Sequence, residues 1–200
     1  MSIIVVVKKA GKAVIAADTM SSFGDTKVSA TYTGNRSKIV KCGETYLGLA
    51  GASAHNNVFR SIVNHYGKNL SFKNIDDIFE TYRKLHMILK DEYFVVPTEG
   101  EKDTYESSQI DALIANPFGI FGIYTWREVY EYERFCALGS GFEYAMGALH
   151  AVYESDLSAE EIAAIGISAA CEFDNGSGLP LTMHTLELKQ TTRKTIRRKK

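Results

Sequence analysis

Ser2 stands directly behind Met1 and directly ahead of an apolar run, in "MSIIVVVKKAGKAVIAADT". Removal of Met1 would expose an α-amine whose ordinary pKa, about 7.7–8.0, lies close to neutrality. Such an amine can take the proton of the neighbouring hydroxyl, so one residue supplies both nucleophile and base. Chain ends usually fray, and a serine heading a buried strand departs from that habit. Chance is the competing explanation, since serine is common at position two. Serine is small enough for ordinary methionine removal.

Other chemistries find less support. Cys42, Cys136 and Cys171 are odd in number, far apart and without a CxxC pair, which argues against a metal site or disulfide scaffold. Three reduced, packed thiols fit a cytoplasmic protein. No GxxxxGK[ST] phosphate loop occurs, and no partner for a histidine-centred triad stands out. Neither a metal nor a cofactor is therefore expected.

The bulk numbers suit one globular domain over residues 1–190: 200 residues in all, 45% hydrophobic, 24% charged and three prolines. No apolar run approaches the ~18 residues that span a bilayer. "IIVVV" is too short for a secretory leader, and its lysines follow rather than precede it. The last ten residues, "TTRKTIRRKK", carry six basic side chains and no acid, against 17 basic and 24 acidic before them. Nothing in the body echoes them with a basic, aromatic-interleaved patch. Residues 191–200 therefore read as a disordered, solvated tail, and neither nucleic acid nor membrane is expected as a partner.

The elements that must position Ser2 follow from periodicity. Residues 3–9 and 12–18 read as two strands around Ala10-Gly11, apolar enough to be covered on both faces. "KIVKC" and "TYLGLAG" form a second hairpin, and the polar stretch between the two hairpins is loop with a short strand at most. A helix follows through Val58, Ile62 and His65, and another from Ile75 to Tyr93 carries its apolar stripe on Ile78, Tyr82, Leu85 and Leu89. "QIDALIA", "IFGIYT" and "EVYEYERF" read as strands, then helices at 142–154 and 159–171, the second opened by Ser158 and Glu161 as a capping box. "LPLTMHTLEL" closes the chain as a strand. Helices in consecutive pairs argue against a doubly wound parallel sheet. One arrangement that fits is two stacked antiparallel sheets, each covered by a helix pair.

In chain order, "SIIVVVKKAGKAVIAADT", "NRSKIVK", "GLAGASA" and "ALGSGFEYAMGAL" match the landmarks of one family. The sequence resembles proteasome β-type subunits, and most nearly bacterial HslV and the small bacterial proteasome homologues, over about residues 2–188. Each motif alone is weakly specific; four in order carry the resemblance. It implies an α+β fold, the four-layer αββα sandwich of N-terminal-nucleophile hydrolases. It also implies a ring-shaped homo-oligomer that hydrolyses peptide bonds in unfolded polypeptides, with any ATP consumed by a separate unfoldase.

The resemblance also implies roles. Ser2 is the nucleophile, where the family usually has threonine. Asp18 orients Lys38, whose charge favours the neutral amine and assists proton loss from the hydroxyl. Gly51 offers its N–H to the oxyanion, and Ser140 hydrogen-bonds the N-terminal amine. Ser22 pairs with an extended substrate, and Met20 and Leu49 line an apolar pocket for the residue before the cut. The family's acid, followed three residues later by a hydroxyl, falls on Glu172 and Asn175 when counted back from the last strand. Asp174 and Ser177 are the alternatives. His55 stands where the family often has aspartate, which leaves substrate preference open. An amidase using the same site on small amides, and a ring-forming homologue with an inactive site, are the other readings.

Overall fold

In a computed structural model, residues 2–23, 26–34, 37–96 and 105–189 are described. The strands are β1 (Ile3–Lys9), β2 (Lys12–Asp18), β3 (Ser21–Phe23), β4 (Thr26–Val28), β5 (Ile39–Cys42), β6 (Thr45–Ala50), β7 (Asp111–Asn116), β8 (Gly119–Ile123), β9 (Val129–Tyr132), β10 (Phe135–Gly139) and β11 (Leu181–Glu187). The helices are α1 (Ala54–Tyr66), α2 (Ile75–Asp91), α3 (Phe142–Val152) and α4 (Ala159–Phe173). One antiparallel sheet runs β10-β1-β2-β11, the other β5-β6-β7-β8-β9, and β3 and β4 form a separate hairpin.

Strand periodicity sorts the apolar residues into three layers of core. On β1, Ile3, Val5 and Val7 pack beneath α3 and α4, whereas Ile4 and Val6 face the second sheet. On β7, Ala112 and Ile114 pack beneath α1 and α2, and Leu113 and Ala115 face back toward β1. Burial on both faces is why these strands read as continuous apolar runs. The result is the four-layer αββα sandwich.

Local signals explain most boundaries. Ala10 and Gly11 both take positive φ, 50° and 79°, as a two-residue turn between twisted strands requires. Ser158 accepts from the Glu161 N–H while the Glu161 carboxylate accepts from the Ser158 N–H, so α4 opens with a full capping box. "EVYEYERF" departs from the sequence-based expectation of one strand. Val129–Tyr132 closes the second sheet, and Phe135 begins β10, which pairs with β1 in the first. Only Glu133 and Arg134 stand between the two strands, neither a glycine nor a proline, so no strong turn signal reveals that the chain changes sheets. The basic tail at 191–200 lies outside the described residues.

The sheets approach closely at Gly48 on β6. A Cβ there would lie 2.5 Å from Ile4 Cγ2 and 3.3 Å from Ile15 Cδ1. Both neighbours are fully buried and have no room to retreat. Gly48→Val is expected to lower stability by about 1–3 kcal/mol, read as a fall in the thermal unfolding midpoint.

Candidate active site

Asp18 ends β2 and is 0% exposed, yet its carboxylate is well supplied with donors. Oδ1 accepts from the Lys38 ammonium at 2.6 Å and from the Ile3 N–H at 3.0 Å. Oδ2 accepts from the Gly178 N–H at 3.1 Å and the Met20 N–H at 3.2 Å. A buried charge persists only when so compensated. The four donors come from the start of β1, the turn after β2, the residue before β5 and the loop before β11, so Asp18 pins four segments around one point.

Ser2 sits at that point. It is only 5% exposed and opens β1, whose first residue Ile3 pairs with Gly139. Ser2 lines a cleft of about 320 Å³ with Met20, Ser22, Lys38, Gly51 and Asn56. Gly51 follows β6 with φ of +105°, a conformation open to glycine at little cost. Gly139, φ +117°, is more constrained still: a Cβ there would overlap the Ser2 carbonyl oxygen.

A second polar cluster holds Ser2 from the side of α3 and α4. The Ser140 hydroxyl reaches the Ser2 carbonyl at 3.4 Å and donates to Asp174 Oδ2 at 2.7 Å. Ser177 donates to the same oxygen at 2.6 Å, and the Gly176 N–H donates to Oδ1 at 3.1 Å. Burial pushes the Asp174 carboxyl up, but the bonds from Ser177, Ser140 and Gly176 outweigh it and leave the group below the usual aspartate value. A depressed carboxyl stabilises the fold above its unfolded pKa, and that stabilisation is lost as pH falls through the folded one. Asp174→Asn is accordingly expected to cost about 1–3 kcal/mol at pH 7. Its thermal midpoint should also change less with pH below 4 than that of the parent protein.

The structure thus brings Ser2, Asp18, Lys38, Gly51 and Ser140 together, with Met20 and Ser22 on the cleft wall. Two expected positions fall elsewhere. Glu172 is exposed on the last turn of α4, which continues to Phe173, so the acid beside Ser140 is Asp174 and its hydroxyl partner is Ser177. Leu49 is 2% exposed and packs with Leu47 into the core beneath α1 and α2 rather than lining the cleft. Sequence reasoning missed Asn56, whose Oδ1 is buried without a hydrogen-bond partner at the cleft. Asn56 is separated from Gly51 by one turn of chain at the start of α1, the only hint the sequence offered.

The nearby Cys171 is not a rival nucleophile. Burial, then the Asp18 carboxylate, pushes its thiol up to about 11, which keeps it protonated at neutral pH. Burial likewise holds His55 below the ordinary histidine value, and its Nδ1 lies 3.3 Å from where a Gly51 Cβ would be.

Two stacked sheets between helix pairs, with a hydroxyl residue heading a central strand, define the architecture of N-terminal-nucleophile hydrolases. Among solved structures, a Thiobacillus denitrificans BPH, a bacterial proteasome homologue, is 38% identical with a TM-score of 0.85, covering 94% of this chain and 100% of that one. The same protein in complex with epoxomicin gives 37% and 0.84 over the same shares. Eukaryotic HslV from Trypanosoma brucei, at 19% identity, shares the fold, with a TM-score of 0.68 over 92% of this chain and 99% of that one. Neither a family model nor a curated protein matches the sequence. The chain belongs to the proteasome β-type, HslV-like family of N-terminal-nucleophile hydrolases.

Proposed function

We propose that this chain is a peptidase that cuts peptide bonds through an acyl-enzyme on Ser2, within a ring-shaped homo-oligomer. The observation that carries the reading is the burial of Ser2 at the head of β1, in one cleft with Lys38 and Gly51. Once Met1 is gone, the Ser2 α-amine takes the hydroxyl proton and Oγ bonds to the substrate carbonyl carbon. The oxyanion then faces the Gly51 N–H. As the C–N bond breaks, the leaving amine receives the proton, and water later releases the acyl group by the same route. Asp18 holds Lys38 on the wall of the Ser2 cleft, where its charge favours the neutral base. Ser140, Asp174 and Ser177 fix the Ser2 main chain.

Extended polypeptide entering beside Ser22 would bind by its backbone, with little demand on sequence. Unfolded proteins are thus the substrate class, delivered by a separate unfoldase where ATP is used. Self-association is supported by the exposed aromatic pair Tyr144 and Phe173 on α3 and α4, ring centres 5.6 Å apart. A cytoplasmic location goes with this reading, and among the described residues no helix is long and apolar enough to cross a membrane.

Intact mass before and after epoxomicin tests the chemistry. The expected result is a chain lighter by one methionine that gains one adduct, absent in Ser2→Ala. Full hydrolysis by protein that retains Met1, or an adduct that survives Ser2→Ala, overturns it.

A further inference from the structure

An oxyanion donor works only when it is held in place before the reaction. Gly51 is poorly suited to hold itself. Its φ of +105° needs a residue without a Cβ, and that same freedom leaves the direction of its N–H to its surroundings. The helix that follows adds little. Ser53 precedes α1 with helical φ and ψ of −59° and −25° and makes no side-chain cap, and no acidic residue stands in the first turn.

One side chain fills the gap. The His55 N–H donates to the Ala52 carbonyl at 3.0 Å and the Asn56 N–H to the Ser53 carbonyl at 3.2 Å, so the segment folds back on itself. Its chain neighbours aside, a Cβ on Gly51 would meet only the His55 ring within 4 Å, Nδ1 at 3.3 Å and Cε1 at 3.6 Å. Burial favours the neutral ring and outweighs a bond to the Ala50 carbonyl and the field of the Asp111 carboxylate, both of which favour the charged form. Ala50 and Asp111 pair in register between β6 and β7. The ring thus links the paired end of the sheet to the glycine. Its Nδ1 is buried without a hydrogen-bond partner, a cost that leucine at this position would avoid. A local rule broken beside a reacting centre points to a role there rather than in the core.

We propose that His55 is a positioning residue for the oxyanion site: its ring backs Gly51 against the end of β6 and so sets the aim of the Gly51 N–H. The inference rests on the peptidase reading and adds a residue to it. His55 does not line the Ser2 cleft, so substrate affinity should not depend on it, whereas transition-state affinity should.

The test compares two inhibitors of one peptide sequence on the full assembled protein. A peptide aldehyde receives Ser2 Oγ on its carbonyl carbon: the hydroxyl proton passes to the Ser2 amine, and the C=O electron pair moves onto oxygen and makes the oxyanion. The matching peptide alcohol has no carbonyl to attack and binds by its other contacts only. His55→Ala is expected to lower kcat about 30-fold and to weaken the aldehyde equally, a part of the roughly 10²–10³ lost with a whole donor. KM and the affinity for the alcohol should change less than about twofold. His55→Asn, whose neutral amide reaches toward the Nδ1 position, should lose only about threefold in kcat. Loss of fold alone would weaken both inhibitors together. Unchanged kcat in His55→Ala, equal weakening of aldehyde and alcohol, or an Asn variant no better than the Ala one overturns the proposal. Epoxomicin labelling of the parent protein separates the two claims. An unlabelled parent defeats the peptidase reading and the proposal with it, whereas a labelled parent with any of those results defeats the role of His55 alone.

Discussion

Lys38→Ala is expected to lower kcat/KM for peptide hydrolysis by about 10³-fold, a loss in the range found when one preorganised electrostatic partner is removed. The ammonium is 2.6 Å from Asp18 and its side chain is only 12% exposed, so its charge acts in a poorly screened setting. Removing it leaves Asp18 with three N–H donors but no cation. Breaking a buried pair costs roughly 3–5 kcal/mol, and the remaining donors place this case at about 3, or roughly 6–12 °C of thermal midpoint for a chain of this size. The two readouts separate chemistry from folding. Assays well below the lowered midpoint should still show the full loss in rate, and Lys38→Arg should recover the midpoint more than the activity, because a planar guanidinium does not reproduce a compact charge. A variant that keeps more than a tenth of the parent rate would remove Lys38 from the mechanism.

Gly139→Ala is expected to cost at least 10²-fold in activity without unfolding the sandwich. The new methyl group would stand on the Ser2 carbonyl oxygen, in a backbone conformation of φ +117° that alanine adopts only with strain. Something must move, and the atoms met are the Ser2 carbonyl and, behind it, Ile3 Cα at the head of β1. A misplacement of about 1 Å at a reacting group is enough for such a loss. Gly147→Ala on α3 is the matching control: a Cβ there meets nothing within 4 Å, and an alanine in a helix is favoured by about 0.5–1 kcal/mol over glycine. Circular dichroism and epoxomicin adduct formation should therefore part company in Gly139→Ala and agree in Gly147→Ala. Equal adduct formation in both would show that the carbonyl of Ser2 tolerates displacement.

Much of this architecture was legible from local pattern. The doubly covered runs of β1 and β2, the helix pairs and the Ser158 capping box each follow from short-range chemistry. Where the reading failed, the deciding contact was long-range or a boundary. "EVYEYERF" reads as one strand, but the pairing partner changes from β8 to β1 across Glu133-Arg134, and only tertiary structure records that change. Glu172 and Asp174 differ by two residues. The choice between them depends on α4 persisting to Phe173, and helix ends are its least predictable part. Leu49 is expected, from the resemblance, to line the pocket beside Met20. On β6 its side chain points with Leu47 to the helix-covered face, so one step of strand alternation settles the matter.

The four donors to Asp18 have one more implication, for synthesis. They reside at positions 3, 20, 38 and 178, and the Asp174–Ser177 brace lies at the same late point in the chain. A nascent polypeptide halted before these last contributors would expose its serine yet lack the frame that aims it. Destructive capacity would then arrive only after residues 174–178 have been translated, and the ribosome and its neighbours would be spared a half-made protease.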